Sequence, residues 1–271
     1  MFPNSPKSIL PIVVGLFLLS VSHAKADVAQ AIPEIGDLER WAAFSLGAGN
    51  NFSRALNNAL IDGDLGLAGN GKFLVGNGAI VNGDVYYRSN GAVLTLNHAV
   101  ITGSIFNNQN ALLDNVVNEA LAASAYAAGL TPNRSNTSIN LNGHDNVTIT
   151  GAPGETVVLD LKNFKLRGDS SFTLQGTATT TFVINVNKKF SLKGNSHIDL
   201  AGLQWNQVLF NVVGSGDKVS LGGSTILKGI LMANDRTVRL KGDATVSGEI
   251  IANRINFRGS SQVLHPAVVS Q

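Results

Sequence analysis

Apolar and polar positions along this chain follow a pattern that returns at a fixed interval. A seven-residue phrase, small–apolar–apolar–x–Gly–x–apolar, reads ALIDGDL at Ala59–Leu65, AIVNGDV at Ala79–Val85 and AVITGSI at Ala99–Ile105, its glycines 20 residues apart. It returns as TILKGIL at Thr225–Leu231 and ATVSGEI at Ala244–Ile250, with glycines 19 apart. A second phrase, apolar–x–apolar–x–Gly–x–small–x–apolar, starts at Phe164, Phe190, Val219, Val238 and Ile255. Alternation at period 2 marks short strands with one buried face. The central glycine permits a corner between strands. A spacing near 20 residues is the mark of a solenoid, in which each repeat buries its apolar side only against its neighbours. Further β-rich runs bounded by Gly, Asn or Asp lie at 148–150, 156–161, 181–186 and 207–213. Asparagines at 70, 77, 82, 90, 97, 142 and 195 suit tight turns.

One segment breaks the pattern. Residues 110–129 lack strand alternation, and Leu112, Leu113, Val116, Val117, Ala120 and Leu121 recur at helical spacing. Asn110 is read as the N-cap, Asp114 as a first-turn acid, Gly129 as the stop and Pro132 as the barrier to continuation. This predicts one long helix along a solenoid face, dividing the strands into an N-terminal and a C-terminal set. A shorter helical stretch is expected near 37–44.

Residues 1–26 read as a secretory signal peptide. Lys7 precedes the mostly apolar run 9–21, and Ala24-Lys25-Ala26 is a small-x-small cleavage site. The remaining residues, 27–271, form one expected domain, secreted or periplasmic. With no cysteine, stability must come from packing and backbone ladders. Charge is unevenly placed: residues 27–154 carry 5 Lys/Arg against 10 Asp/Glu, and residues 155–271 carry 13 against 8.

The stretch 41–69, with Ile61, Gly63, Asp64, Leu65 and Gly66 in an I-x-G-D-L-G corner, resembles the opening of bacterial and fungal ice-binding-like β-helix proteins. The stretch TTTFVINVNKKFSLKGNSHIDL, NQVLFNVVG and the coils at 229–233 and 248–252 resemble both that family and the choice-of-anchor A exoproteins. The resemblance implies an all-β fold, a right-handed β-solenoid of roughly triangular section with a long α-helix alongside. It also implies coils that do not stack in simple chain order. The end HPAVVSQ does not match the sorting tail of choice-of-anchor proteins.

Two binding readings stay open. Outward positions of the second phrase carry Lys165, Arg167, Lys193, Arg239, Lys241 and Arg258. Stacked in register, they would make a cationic stripe for an extracellular anionic polymer or cell envelope. No aromatics interleave with them to stack bases, which argues against sequence-specific nucleic-acid recognition. The alternative is ice binding through a flat face using Thr148, Thr150, Thr173, Thr177, Thr179 and Thr181, with Thr180 beside them. An enzyme reading rests on Asp62, Asp64 and Asp84, which read more simply as turn carboxylates bonding corner amides. His98, His144, His197 and His265 have no metal-ligand spacing. The expectation is therefore a non-enzymatic protein with no cofactor and no metal.

Overall fold

A computed structural model describes residues 38, 40–47, 53–88, 93–135 and 137–267. The expected signal peptide lies outside the described residues. The described chain is mostly strand, every pairing between strands is parallel, and one α-helix accompanies them. No described helix is long and apolar enough to cross a membrane.

Each strand pairs with the strands one repeat before and one repeat after it. The result is three ladders of nine strands each among the described residues. Ladder A runs Ser138–Leu141, 163–168, 189–194, Val219–Gly223, 237–242, 254–258, Ser53–Leu56, Lys72–Gly76 and Val93–Asn97. Ladder B begins at Asn146–Thr150 and ends at Val100–Ile101. Ladder C begins at 156–161 and ends at Ile105–Phe106. Strand order departs from chain order where the two sets meet. Trp41–Ser45 lies between 250–252 and Asp64–Leu67, and Gln262–Leu264 lies between 245–247 and Leu60–Asp62. One rung is thus assembled from the first and last described strands. The expectation of a short helix near 37–44 fails here: 41–45 is a strand paired on both edges, and it is buried throughout because one face joins the core and the other packs with the helix.

The inward residues of all three ladders share one core. Within it Phe164 stacks on Phe190, ring centroids 5.0 Å apart, and Phe190 meets Phe210 edge to face at 5.7 Å. Two glycine columns explain the sequence repeat. At the corner from ladder B to ladder C, a Cβ on Gly248 would meet the Gly229 carbonyl oxygen at 2.3 Å, and φ there is +143°. At the corner from A to B, Gly168, Gly194, Gly223, Gly242 and Gly259 all have φ between +71° and +87°. In the N-terminal rungs asparagine takes over this role, with Asn57, Asn58 and Asn77 left-handed.

The helix spans Asn110–Gly129. At 1.5 Å per residue it is about 30 Å long, most of the roughly 38 Å that nine rungs occupy. It carries the chain from the end of the N-terminal set back to the far end of the stack. Its buried stripe is Leu113, Val116, Ala120, Ala123 and Ala127, set against the outward side of ladder C. Leu121, expected in that stripe, is exposed. The N-cap is Gln109 rather than Asn110, and Gly129 is the last helical residue rather than a left-handed stop. The extended Leu130 ends the helix, its N–H donating to the Ala127 carbonyl. Three asparagines of ladder C stitch the helix on. Asn185 Nδ2 donates to the Ala127 carbonyl at 2.7 Å, Asn211 Nδ2 to that of Ser124 at 3.0 Å, and Asn234 Nδ2 to that of Ala120 at 2.6 Å. Their partners lie three and four residues apart, so successive rungs meet successive helical turns.

Candidate functional site: a cationic strand face

The helix covers ladder C, so ladders A and B provide the open walls. On ladder A, side chains alternate between core and solvent, and the outward ones line up from rung to rung. One column reads Lys165, Ser191, Ser220, Arg239, Asn256, Arg54. The next reads Arg167, Lys193, Gly222, Lys241, Arg258, Leu56. All six basic residues singled out from the sequence fall in these two columns. No carboxylate occupies either column.

At a rung spacing of about 4.8 Å, two unit charges repel by just under 1 kcal/mol even at the dielectric of water, ~0.9 kcal/mol. Such a wall is electrostatically unfavourable until an anion meets it. Arg54 records the effect: burial, then the neighbouring Arg258 and Arg239, push its guanidinium below the ordinary arginine range. Its Nε donates to Asn256 Oδ1 at 3.1 Å, which holds the side chain flat along the column.

A buried arginine that the basic-stripe reading omitted shapes the edge of this wall. Arg236 is only 2% exposed, and among the described residues no carboxylate forms a salt bridge with it. Its Nε donates to the Gly214 carbonyl at 2.7 Å, and its Nη2 to those of Val213 at 2.6 Å and Asn187 at 3.0 Å. Its Nη1 donates to the carbonyls of Lys188 and Asp217. Burial lowers its pKa, and Asp217 and Asp235 partly offset that. The five carbonyls come from two earlier corners, so Arg236 bolts the 213–218 loop over the edge of ladder A. An Asn-Asp-Arg at a strand corner carries no sequence signal for this role, because the receiving carbonyls are up to 49 residues away.

The threonines do not form one surface. Thr148 and Thr173 are neighbours on ladder B, but the next position is Asp199, which pairs with Lys228 at 3.1 Å and lies 3.2 Å from His197. Thr150 lies beside Gln175. Thr177 and Thr179 belong to a turn and contact each other at 3.1 Å, while Thr180 and Thr181 are buried.

The carboxylates of the enzyme reading are occupied as turn acceptors. Asp64 Oδ1 accepts from the Asp84 amide at 3.0 Å, and Asp84 Oδ1 from the Ser104 amide at 2.7 Å. Asp62 Oδ1 accepts from Asn82 Nδ2 at 2.6 Å, on the other side of Gly63. Among the described residues no group of His, Cys, Asp and Glu is placed to hold a metal ion.

Solved structures that this chain resembles include ice-binding proteins. One comes from the Antarctic ascomycete Antarctomyces psychrotrophicus, at 18% identity, covering 86% of this chain and 98% of the other, TM-score 0.55. Another is a glycosylated ice-binding protein from an Arctic yeast, at 18% identity, covering 87% and 95%, TM-score 0.56. At that identity the likeness is one of fold. No curated protein matches. Residues 41–265 match the family described as "Putative Ice-binding-like adhesive domain". That span takes in all three ladders and the helix, and the chain belongs to this ice-binding-like adhesive family.

Proposed function

We propose that this chain is an exported, non-enzymatic adhesive module that holds acidic polysaccharide against the wall of ladder A. In this reading the three ladders close into a right-handed solenoid of roughly triangular section, and the signal peptide at 1–26 directs export. The observation that carries it is the register of Lys165, Arg167, Lys193, Arg239, Lys241 and Arg258 in two adjacent columns without a carboxylate. A cationic strip of this kind raises the local concentration of a polyanion and binds it with strong salt dependence. The family's adhesive description supports the same reading. The test is retention of residues 27–271 on immobilised polygalacturonate across a salt series. Retention at low salt that falls steeply as salt rises is expected, and salt-insensitive or absent retention refutes the proposal.

Ice is the second reading. It is favoured by the Thr148–Thr173 pair on ladder B and by the ice-binding proteins among structures of similar fold. The charged positions Asp199, Lys228 and His197 interrupt that wall within two rungs. Thermal hysteresis and faceted ice crystals with the purified protein would establish it.

A further inference from the structure

The cationic columns of ladder A are broken at Asn256 and, over a longer stretch, at a pair of serines. In two successive rungs the long cations give way to Ser191, Ser220 and Gly222. Lys165 and Arg239 continue the first column on either side of the serines, and Lys193 and Lys241 flank the glycine. The 213–218 loop overhangs the same two rungs, fixed by Arg236. Together they enclose a groove of about 420 Å³ lined by Lys189, Ser191, Lys193 and Ser220 below and by Gly216, Asp217 and Lys218 of the loop. The interruption is therefore a notch with a hydroxyl-bearing floor, a lysine rim and a rigid wall.

We infer that this notch is a subsite for a single carboxylate-bearing sugar residue within an acidic polysaccharide chain. The inference rests on the adhesive reading above and makes it specific. Three lysines, Lys189, Lys193 and Lys218, border a space that small side chains keep open. A carboxylate entering it meets point charges with rotatable donors, and ring hydroxyls meet Ser191 and Ser220. The single acid at the rim, Asp217, contacts Lys189 only at 4.0 Å, with both side chains well exposed. An incoming carboxylate displaces a weak pair there. A nucleic acid is disfavoured because no aromatic side chain lines the notch for a base to stack on. The rungs, about 4.8 Å apart, let neighbouring sugar residues of the same chain lie along the flanking cations.

Calorimetric titration of residues 27–271 with a galacturonic acid tetramer at fixed salt tests this, alongside retention on polygalacturonate. Ser220→Leu fills the notch without changing charge, and Lys193→Ala removes a rim cation. Each is expected to weaken tetramer binding by about tenfold, the effect of roughly 1.4 kcal/mol. Lys72→Ala makes the same charge change on the same ladder away from the notch, and is expected to weaken binding by less than about threefold, as for exposed charges. Circular dichroism and melting confirm that each variant is folded. If Ser220→Leu binds as the parent does, or Lys193→Ala and Lys72→Ala fall equally, binding is diffuse: the notch is refuted and the adhesive reading stands. If the parent retains neither tetramer nor polymer, both readings fall. Equal competition by a single-stranded oligonucleotide overturns the assignment to a sugar acid.

Discussion

Arg236 offers the sharpest test of how the wall is built. Replacing it with methionine keeps much of the aliphatic stem but removes every donor of the guanidinium. Five backbone carbonyls, of Gly214, Val213, Asn187, Lys188 and Asp217, then lose their partner. Hydrogen bonds from a charged donor are worth about 1.5–3 kcal/mol each, so five independent ones would total roughly 7–15 kcal/mol. The losses are not independent. The Asp217 contact is long at 3.4 Å, and carbonyls at a corner bordering open grooves turn toward water. The net loss expected for Arg236→Met is therefore ~4 kcal/mol, the scale of breaking a buried charged contact. Arg236→Lys, with three donors and no planar fork, is expected to lose about half as much. Urea unfolding followed by circular dichroism measures the stability. Hydrogen exchange at 187–188 and 213–217 locates it: both corners should lose protection together. A loss under about 1 kcal/mol, or unchanged protection in the 213–218 loop, refutes the bolt.

Three other outcomes follow from the same geometry. Asn211, fully buried, donates to the Ser124 carbonyl and to Asn185 Oδ1 and accepts from Ser124 Oγ at 2.7 Å. Asn211→Ala should cost about 2–4 kcal/mol in thermal or urea unfolding, because it strands buried polar groups. Gly248→Ala should cost about 3 kcal/mol, since the new Cβ lies 2.3 Å from a backbone oxygen at φ +143°; a melting temperature equal to the parent's would contradict the glycine column. The third concerns pH. The Ala152 amide, and then Arg134, hold the Glu155 carboxyl below the ordinary value of 4.5. A depressed carboxylate contributes stability that is full above its unfolded value and is lost as pH falls through its folded value. The gap in melting temperature between parent and Glu155→Gln should therefore be constant near neutral pH and shrink below about pH 4.5. A gap that widens as pH falls below about 4.5 would contradict this.

Much of the architecture was legible because it is periodic. The two phrases located the glycine corners, and the strand runs at 156–161, 181–186 and 207–213 fall on ladder C almost residue for residue. The helix emerged from a change of period. Its ends were less legible: capping depends on backbone angles that Asn110 and Gly129 do not dictate. Trp41–Ser45 was misread because five consecutive buried residues show neither period, and the partner strand at 250–252 is 207 residues away in the first aligned pair, Ala43 and Ile250. The six basic residues could be placed outward by alternation alone. Their alignment in two columns, and the notch among them, depend on which strands are neighbours. Threonine content proved a poor guide to surface, because Thr177 and Thr179 lie at a turn and Thr181 points inward.

The mixed rung formed by Trp41–Ser45 and Gln262–Leu264 has a mechanical consequence. In a simple stack of repeats, fraying proceeds inward from whichever end is loosest. Here the first and last described strands sit in the interior of the pile, each paired on both edges, so peeling either outer rung frees neither of them. Tension drawn through the first strand passes into 250–252 across a few parallel hydrogen bonds, and that pairing joins segments more than 200 residues apart, the class of contact whose closure slows folding.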